Sequence, residues 1–157
     1  MSGIGLFGEL WAIEELQKKK KTEIYLPLKD TGIDFVAIKG ETTFSIQVKT
    51  SMFQKNSYFW FDLHKSKMRY NKNVYYIFVC ATLARRKMMG KSRNFLVIPS
   101  LDLKKLIQSG EIPSKGGNDN VLNIFVYPNF DNKTWTFKNK KKSIDLTKYW
   151  NDFDCFN

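Results

Sequence analysis

Apolar residues recur along the chain with different periods, and each period indicates a different element. Residues 4–16 carry apolar side chains at intervals of three and four, which predicts an amphipathic helix that ends among the lysines at 18–21. Residues 43–49 alternate between apolar and polar side chains, as expected for a strand with one buried face. Residues 74–81 are almost continuously apolar, which predicts a central strand buried on both faces.

Weaker patterns complete the predicted elements. Further strands are predicted at 23–27, 35–38, 58–61, 95–98, 121–127 and 134–137. A helix or helical turn is predicted at 62–70, and helices are predicted at 100–109 with Ser100 as the N-cap and at 145–153. We find no internal repeat and no clear linker, so the chain is interpreted as one domain over residues 1–157, of α/β class bordering on α+β.

The charge of the chain favours a polyanionic partner. The 157 residues carry a formal net charge of +11, and nucleic acid is the first expectation, with an anionic membrane surface a distant second. Lysine far outnumbers arginine, which favours phosphate contact over base-specific recognition. The candidate DNA-contacting residues are Lys18, Lys20, Lys65, Arg69, Arg85, Arg86, Lys91 and Arg93.

Several classes of protein are disfavoured by composition. Cys80 and Cys155 are too few for a disulfide framework, which favours a reducing intracellular setting. No apolar run approaches the roughly 20 residues of a membrane span, and the acidic N-terminal stretch is unlike a signal peptide. His64, the one histidine, cannot form a zinc site alone, and no small-molecule cofactor is expected.

One set of residues suggests a reaction. If residues 33–39 and 43–50 pair as a hairpin, Asp34 approaches Gln47 and Lys49, which share one face of their strand. Asp34, the Gln47 amide oxygen and the Val48 carbonyl are hard oxygen ligands suited to Mg²⁺, with Mn²⁺ as a substitute. Lys49 would orient water and neutralise charge on a phosphate, and Glu9 would reach the site from the first helix.

The sequence offers alternatives for the carboxylates and for one aromatic cluster. Asp30 and Glu14 are possible supplementary carboxylates, and Asp30 is an alternative to Asp34 if the strand begins earlier. The aromatic residues at 58–61 either offer rings for base stacking or fill the core, and the core is favoured for two of the four.

These residues resemble the PD-(D/E)XK nuclease superfamily. The similarity lies in Gly8-Glu9, in Gly32-Ile33-Asp34 and in the segment 46–51, and it extends over residues 1–81, with nothing recognisable in 82–157. The spacing is similar to that of archaeal Holliday-junction resolvases and of small restriction- and homing-type endonucleases. The resemblance implies an αβββαβ core with a mixed central sheet, to which the C-terminal half adds a strand and helix extension.

The resemblance also implies an activity. It implies a Mg²⁺-dependent DNA endonuclease, acting on structured or double-stranded DNA, and a possible homodimer. Gln47 stands where the superfamily usually has Glu, so the site loses one negative charge. The alternatives are a catalytically degenerate DNA-binding module on the same fold, or a basic subunit that binds another protein.

Overall fold

The chain folds into two α-helices and ten β-strands over the residues that the structure describes. The computed structural model describes residues 3–52, 58–82, 92–110, 112, 114–138 and 142–156. The helices are α1 (Gly3–Lys20) and α2 (Ser100–Gln108). The strands are β1 (Glu23–Tyr25), β2 (Phe35–Lys39), β3 (Thr42–Met52), β4 (Phe59–His64), β5 (Val74–Ala81), β6 (Arg93–Pro99), β7 (Ser114–Lys115), β8 (Asn118–Asn129), β9 (Thr134–Lys138) and β10 (Ser143–Asp145).

A mixed five-stranded sheet forms the centre of the molecule. Its strand order is β1-β2-β3-β5-β6. The β3–β5 pair is parallel and the other pairs are antiparallel, with Ile46 of β3 opposite Tyr75 of β5. The α/β class and the mixed central sheet, with 74–81 as a central strand, are therefore confirmed.

A second, antiparallel sheet covers one face of the central sheet. Its strand order is β10-β9-β8-β4, and β7 pairs with β8. The chain therefore leaves the central sheet after β3, contributes β4 to the second sheet, and returns to pair β5 with β3. This path places β4 beside the part of β3 that contains the candidate site residues.

Apolar side chains fill the space on both faces of the central sheet. Alternate β5 residues point in opposite directions: Ile77 packs toward α1 and the C-terminal residues, whereas Phe78 packs toward the second sheet and α2. Both side chains are almost completely buried. A strand covered on both faces needs apolar residues at successive positions, which explains the apolar run at 74–81.

Helix α1 is present, but only part of the predicted apolar stripe is buried. Leu16 is buried as predicted, together with Gly8 and Ala12, whereas Phe7 and Leu10 are more than half exposed. The small residues allow the helix backbone to approach β3 closely, and this packing requirement overrides the periodicity of the larger side chains.

The segment predicted as a helix or helical turn at 62–70 contains only a single 3₁₀ turn, at Lys65–Lys67. A longer helix there is wrong, because strand β4 continues to His64. The alternation that starts at Phe59 and Phe61 continues through Leu63, and these three side chains are buried in the core beneath the second sheet. A strand with one buried face satisfies all three positions, whereas the polar residues after 64 lie in a turn.

The C-terminal helix predicted at 145–153 is also wrong. That segment contains the end of β10 and a 3₁₀ turn at Thr147–Tyr149, and a second 3₁₀ turn, Phe153–Cys155, begins at its last residue.

Helix α2 is confirmed, although Ser100 is its first residue and not its N-cap. The Ser100 hydroxyl instead accepts a hydrogen bond from the Asn71 N–H and donates one to the Asn71 carbonyl. Over the described residues, no helix is long and apolar enough to cross a bilayer.

Candidate active site

The candidate site lies at an edge of β3 where its pairing with β2 stops. The last paired residues are Phe35 and Ile46, and the Asp34 N–H donates a further hydrogen bond of 2.9 Å to the Ile46 carbonyl. The Asp34 carboxylate then takes the place of the next strand residue, because its Oδ2 accepts a hydrogen bond of 2.6 Å from the Val48 N–H. Asp34 is therefore held at the predicted position, directly before β2.

The Val48 backbone faces the same edge. In an extended strand, the N–H and the C=O of one residue point to the same side of the strand. Because the Val48 N–H points to Asp34, the Val48 carbonyl also faces the region beside Asp34. The Val48 side chain is buried in the core against α1.

Helix α1 brings Glu9 to this edge, and Gly8 makes the approach possible. A Cβ atom on Gly8 would overlap Oγ1 of Thr50 and lie 2.8 Å from Thr50 Cβ. Only glycine therefore fits between the helix backbone and β3 at this level. Glu9, the next residue, reaches Asp34, and the two carboxyl groups lie within hydrogen-bonding reach of each other.

The two carboxyl groups perturb one another. Burial, followed by repulsion from Asp34, raises the pKa of Glu9 to about 7. Burial also raises the pKa of Asp34, while the Val48 N–H and the nearby Lys49 ammonium act in the opposite direction. Two neighbouring carboxyl groups repel each other when both are ionised, and a bound cation would relieve this repulsion.

The side chains of Gln47 and Lys49 lie on the face of β3 opposite to the Val48 side chain, as their spacing of two residues predicts. The Gln47 side chain lines the same cavity as Asp34 and Glu9, and its Oε1 is buried without a hydrogen-bond partner in the structure. A buried acceptor without a partner is unfavourable, and a ligand that accepts its lone pairs would remove the cost. Lys49 lies near enough to Asp34 to favour the ionised carboxylate.

These groups open into one cavity of about 920 Å³. Its other walls include Asp30, Gly32, His64, Lys67 and Met68. His64 is the last residue of β4, and Lys67 lies in the 3₁₀ turn that follows, so the second sheet contributes directly to the site. The sequence identified the basic cluster at 65–69, but the wrong helix assignment hid its position beside the carboxylates.

The residues of the cavity fit a divalent cation bound by hard oxygen ligands. The available oxygens are the Glu9 and Asp34 carboxylates, the unpartnered Gln47 Oε1 and the Val48 carbonyl, a donor set of the kind that Mg²⁺ and Mn²⁺ prefer. Within the described ranges, no group of three or more His, Cys, Asp and Glu side chains is arranged for a metal. A cation bound here would therefore depend partly on the neutral oxygens.

Of the two possible supplementary carboxylates, Asp30 and Glu14, only Asp30 lies at the site. Asp30 lines the same cavity, and its Oδ1 accepts a hydrogen bond of 3.1 Å from the Gly32 N–H in a turn. Glu14 instead forms an ion pair of 3.6 Å with Arg93, whose guanidinium also lies over the Trp11 ring. Of the two, Asp30 is the one placed to add negative charge to the site.

The candidate DNA-contacting residues fall into separate regions. Lys65 and Arg69 are exposed next to the cavity wall formed by Lys67 and Met68. Lys18 and Lys20 lie near the far end of α1, about 14 Å or more from Glu9 along the helix axis, and Lys20 pairs with Asp154 at 2.8 Å. Arg93 begins β6 and pairs with Glu14 of α1 at 3.6 Å. The other three candidates, Arg85, Arg86 and Lys91, lie outside the described residues.

The fold is similar to that of a bacterial homing endonuclease, I-Ssp6803I. The two structures superpose with a TM-score of 0.59 over 98% of this chain and 88% of that chain, at 15% sequence identity. At this identity the similarity establishes the fold alone. No protein-family model matches the chain, and no curated protein matches its sequence.

Proposed function

We propose that this protein is a divalent-metal-dependent DNA endonuclease that hydrolyses phosphodiester bonds with water. The observation that carries the proposal is the convergence of Glu9, Asp34, Gln47 and Lys49 in one cavity, with the Gln47 oxygen buried and unpartnered. The homing-endonuclease fold supports the proposal, and so does the net charge of +11. The PD-(D/E)XK assignment remains part of this proposal.

The residues have separate roles in the proposed reaction. Glu9, Asp34, Gln47 and the Val48 carbonyl would hold Mg²⁺ or Mn²⁺, which would supply Lewis-acid stabilisation of the charge that builds up on the phosphate. Lys49, held near Asp34, is placed to orient water and to neutralise developing negative charge. The Val48 N–H holds the Asp34 carboxylate in position at the edge of β3.

The substrate side of the proposal rests on charge near the cavity. Lys67 lines the cavity, and Lys65 and Arg69 are exposed beside it. Cations that surround a phosphodiester site hold the backbone without reading its sequence. We therefore expect binding that depends on salt and only weakly on sequence. Homodimer formation, which the resemblance implies, stays a prediction.

A cleavage assay tests the proposal. Wild-type protein is incubated with supercoiled plasmid, linear duplex and branched DNA in Mg²⁺ and in Mn²⁺, beside Asp34→Ala and Lys49→Ala. We expect metal-dependent cutting that falls at least about a hundredfold in each variant, since each removes a group that acts on the reacting charge. Asp131→Ala and Lys105→Ala, which change exposed residues, serve as matched controls. Equal cutting by wild type and Asp34→Ala would refute the proposal.

A second candidate function is a DNA-binding module without catalysis. The neutral Gln47 favours it, because no third carboxylate, histidine or cysteine joins Glu9 and Asp34 in a metal-ligand group among the described residues. This alternative gives salt-sensitive DNA binding with no cleavage in either metal. The same assay, run beside a binding titration, therefore distinguishes the two functions.

A further inference from the structure

The outward face of the second sheet carries aromatic side chains where a solvated sheet usually carries polar ones. On β4, Phe59 and Phe61 are buried, whereas Trp60 between them points outward and is 41% exposed. On β8, Phe125 lies between the buried Ile124 and Val126, and Tyr127 follows Val126, so both side chains are on the outward face, where both are half-buried. A group of neighbouring rings that reaches solvent on one face of a sheet marks a binding surface more often than a single exposed apolar residue does.

The rings form an ordered group. Trp60 and Phe125 are opposite one another in the β4–β8 ladder and stack with ring centroids 6.1 Å apart and an interplanar angle of 15°. The Trp60 Nε1–H donates a hydrogen bond of 3.2 Å to Asn123 Oδ1. Tyr58 contacts Phe125 and Tyr127, each with ring centroids 5.6 Å apart. We call these four residues, Tyr58, Trp60, Phe125 and Tyr127, the aromatic face.

The aromatic face is continuous with the candidate active site. Trp60 and Asp62 line a depression of about 290 Å³ together with Lys49 and Thr50, and these last two residues also line the main cavity. His64, two residues beyond Asp62 on the same side of β4, lies in the wall of the main cavity. A polynucleotide with one phosphate at Lys49 therefore has the aromatic face beside its next nucleotides.

The chemistry of this surface suits unpaired bases. Aromatic side chains bind nucleotides by stacking on the faces of bases, and those faces are inaccessible inside a duplex. The cations needed for the backbone lie at both ends of the surface: Lys49 at the depression, and Lys138, whose ammonium lies 5.2 Å from the centre of the Tyr127 ring. A protein partner would not require aromatic rings placed next to a lysine that is suited to bind phosphate.

We propose that the aromatic face binds unpaired nucleotides of DNA that extend from the candidate active site. The inference rests on the proposed function for the nature of the polymer, and it narrows the substrate to DNA with a single-stranded segment next to the bond that is cut. Trp60 and Phe125 supply the stacking surface nearest Lys49, and Tyr58 and Tyr127 continue it.

Equilibrium binding without cleavage tests the inference. The probes are a fluorescently labelled blunt duplex, the same duplex with a single-stranded 3′ extension, and oligo(dT), each titrated by anisotropy in EDTA. We expect the extension to raise affinity about tenfold or more over the blunt duplex, and Trp60→Ala and Phe125→Ala each to remove roughly that gain. Both variants should keep wild-type affinity for the blunt duplex. Trp60→Phe, which retains a ring, should keep most of the gain even if Trp60→Ala folds poorly.

A matched control is Tyr25→Ala, which removes an exposed aromatic ring from β1, outside the second sheet. It should bind all three probes as wild type does. If Trp60→Ala and Phe125→Ala, folded by circular dichroism, bind the extended duplex as tightly as wild type, the inference is wrong. It is also wrong if these variants dissociate an oligomer in sedimentation without changing DNA affinity, since the surface would then join copies of this chain.

Failure of the inference is distinct from failure of the proposed function. Asp34→Ala should lose cleavage and keep the preference for extended DNA, because the aromatic face is intact. If cleavage requires metal and Asp34, but binding of extended DNA does not depend on Trp60 or Phe125, the endonuclease proposal stands and the single-strand inference is wrong. If binding of extended DNA depends on Trp60 and Phe125, but wild type cuts no DNA, the single-strand inference stands and the endonuclease proposal is wrong.

Discussion

Gln47 determines how much negative charge the candidate site offers to a cation. Its buried Oε1 brings a lone pair without a charge, so Glu9 and Asp34 are the ionisable ligands of the proposed set. We expect Gln47→Glu to bind Mn²⁺ about tenfold more tightly, since a carboxylate replaces a neutral oxygen at the ion. The same change should lower the melting temperature in EDTA, because a third carboxylate is then placed against two that already repel.

Isothermal titration and thermal melting, with and without Mn²⁺, measure both effects. Asn132→Asp adds the same charge at an exposed position of the turn between β8 and β9 and should change neither value. If Gln47→Glu leaves metal affinity unchanged, the Gln47 oxygen is not a ligand.

The raised pKa of Glu9 makes the stability of the metal-free protein depend on pH. The pKa of Glu9 is about 7 in the folded chain against an ordinary value of 4.5, so the folded state holds a proton that the unfolded state releases. This contribution to stability is complete at low pH and is lost as pH rises from about 4.5 through about 7. Burial raises the pKa of Asp34 as well, so its ionisation lowers the stability of the folded chain in the same direction.

We therefore expect the free energy of unfolding of wild type, in EDTA, to fall relative to that of Glu9→Gln between about pH 5 and about pH 8. Glutamine imitates the protonated carboxyl, so the variant should lack this part of the pH dependence. Denaturant titrations at each pH give the comparison, and parallel curves for the two proteins would contradict it.

At the residue scale, the sequence was informative about spacing and not about surroundings. The positions of Asp34, Gln47 and Lys49 follow from strand periodicity, and the structure brings them to one cavity with Glu9. His64 and Lys67 also line the cavity, because the chain passes from strand β4 of the second sheet back to the central sheet at this point. Local sequence patterns do not encode this path.

At the scale of elements, the packing of α1 on β3 controls where Glu9 lies. Gly8→Ala would place a methyl group against the Thr50 side chain, so the helix must shift away from the strand. We expect a loss of about 1–3 kcal/mol in the free energy of unfolding, the usual cost of overpacking, together with weaker Mn²⁺ binding as Glu9 moves. Denaturant unfolding and metal titration measure the two effects.

Gly116→Ala is the control, because a Cβ there meets no atom within 4 Å. Combining Gly8→Ala with Thr50→Ala should recover part of the loss, since the overlapping hydroxyl is removed and its oxygen has no hydrogen-bond partner in the structure. Additive losses in the double variant would contradict the close contact.

Strands were easier to predict than helices in this chain because their alternation is strong. The buried Phe59, Phe61 and Leu63 extend β4 through residues that were assigned to a helix on polarity. In the C-terminal segment, Leu146, Tyr149 and Phe153 have helical spacing and are buried, yet they belong to short turns that pack in two different cores. Periodicity cannot distinguish one helix from separate turns that happen to place side chains at the same intervals.

At the scale of the whole molecule, the charge of +11 should make DNA affinity strongly dependent on salt. Arg69→Ala and Lys67→Ala, next to the cavity, should each reduce the slope of log affinity against log salt by about one. Lys20→Ala should leave the slope unchanged, since Lys20 is paired with Asp154 at the other end of α1. Anisotropy titrations over a range of NaCl give the slopes, and a larger effect from Lys20 than from Arg69 would contradict the location of the DNA.

The arrangement of the two sheets is the part of the fold that the sequence did not predict. Each strand was recognisable locally, but pairing β4 with β8 joins residues as far apart as Phe59 and Val126. Contacts of such separation depend on the tertiary packing of both cores and leave no periodic signal in either segment.

A crystal structure of the protein with Mn²⁺, with anomalous scattering data, would show whether the four residues bind a cation. We expect one anomalous peak within about 2.0–2.6 Å of oxygens from Glu9, Asp34 and Gln47, with the Lys49 ammonium nearby. A well-ordered site without a peak, or Mn²⁺ bound elsewhere while Gln47 Oε1 stays unpartnered, would contradict a metal-dependent site here.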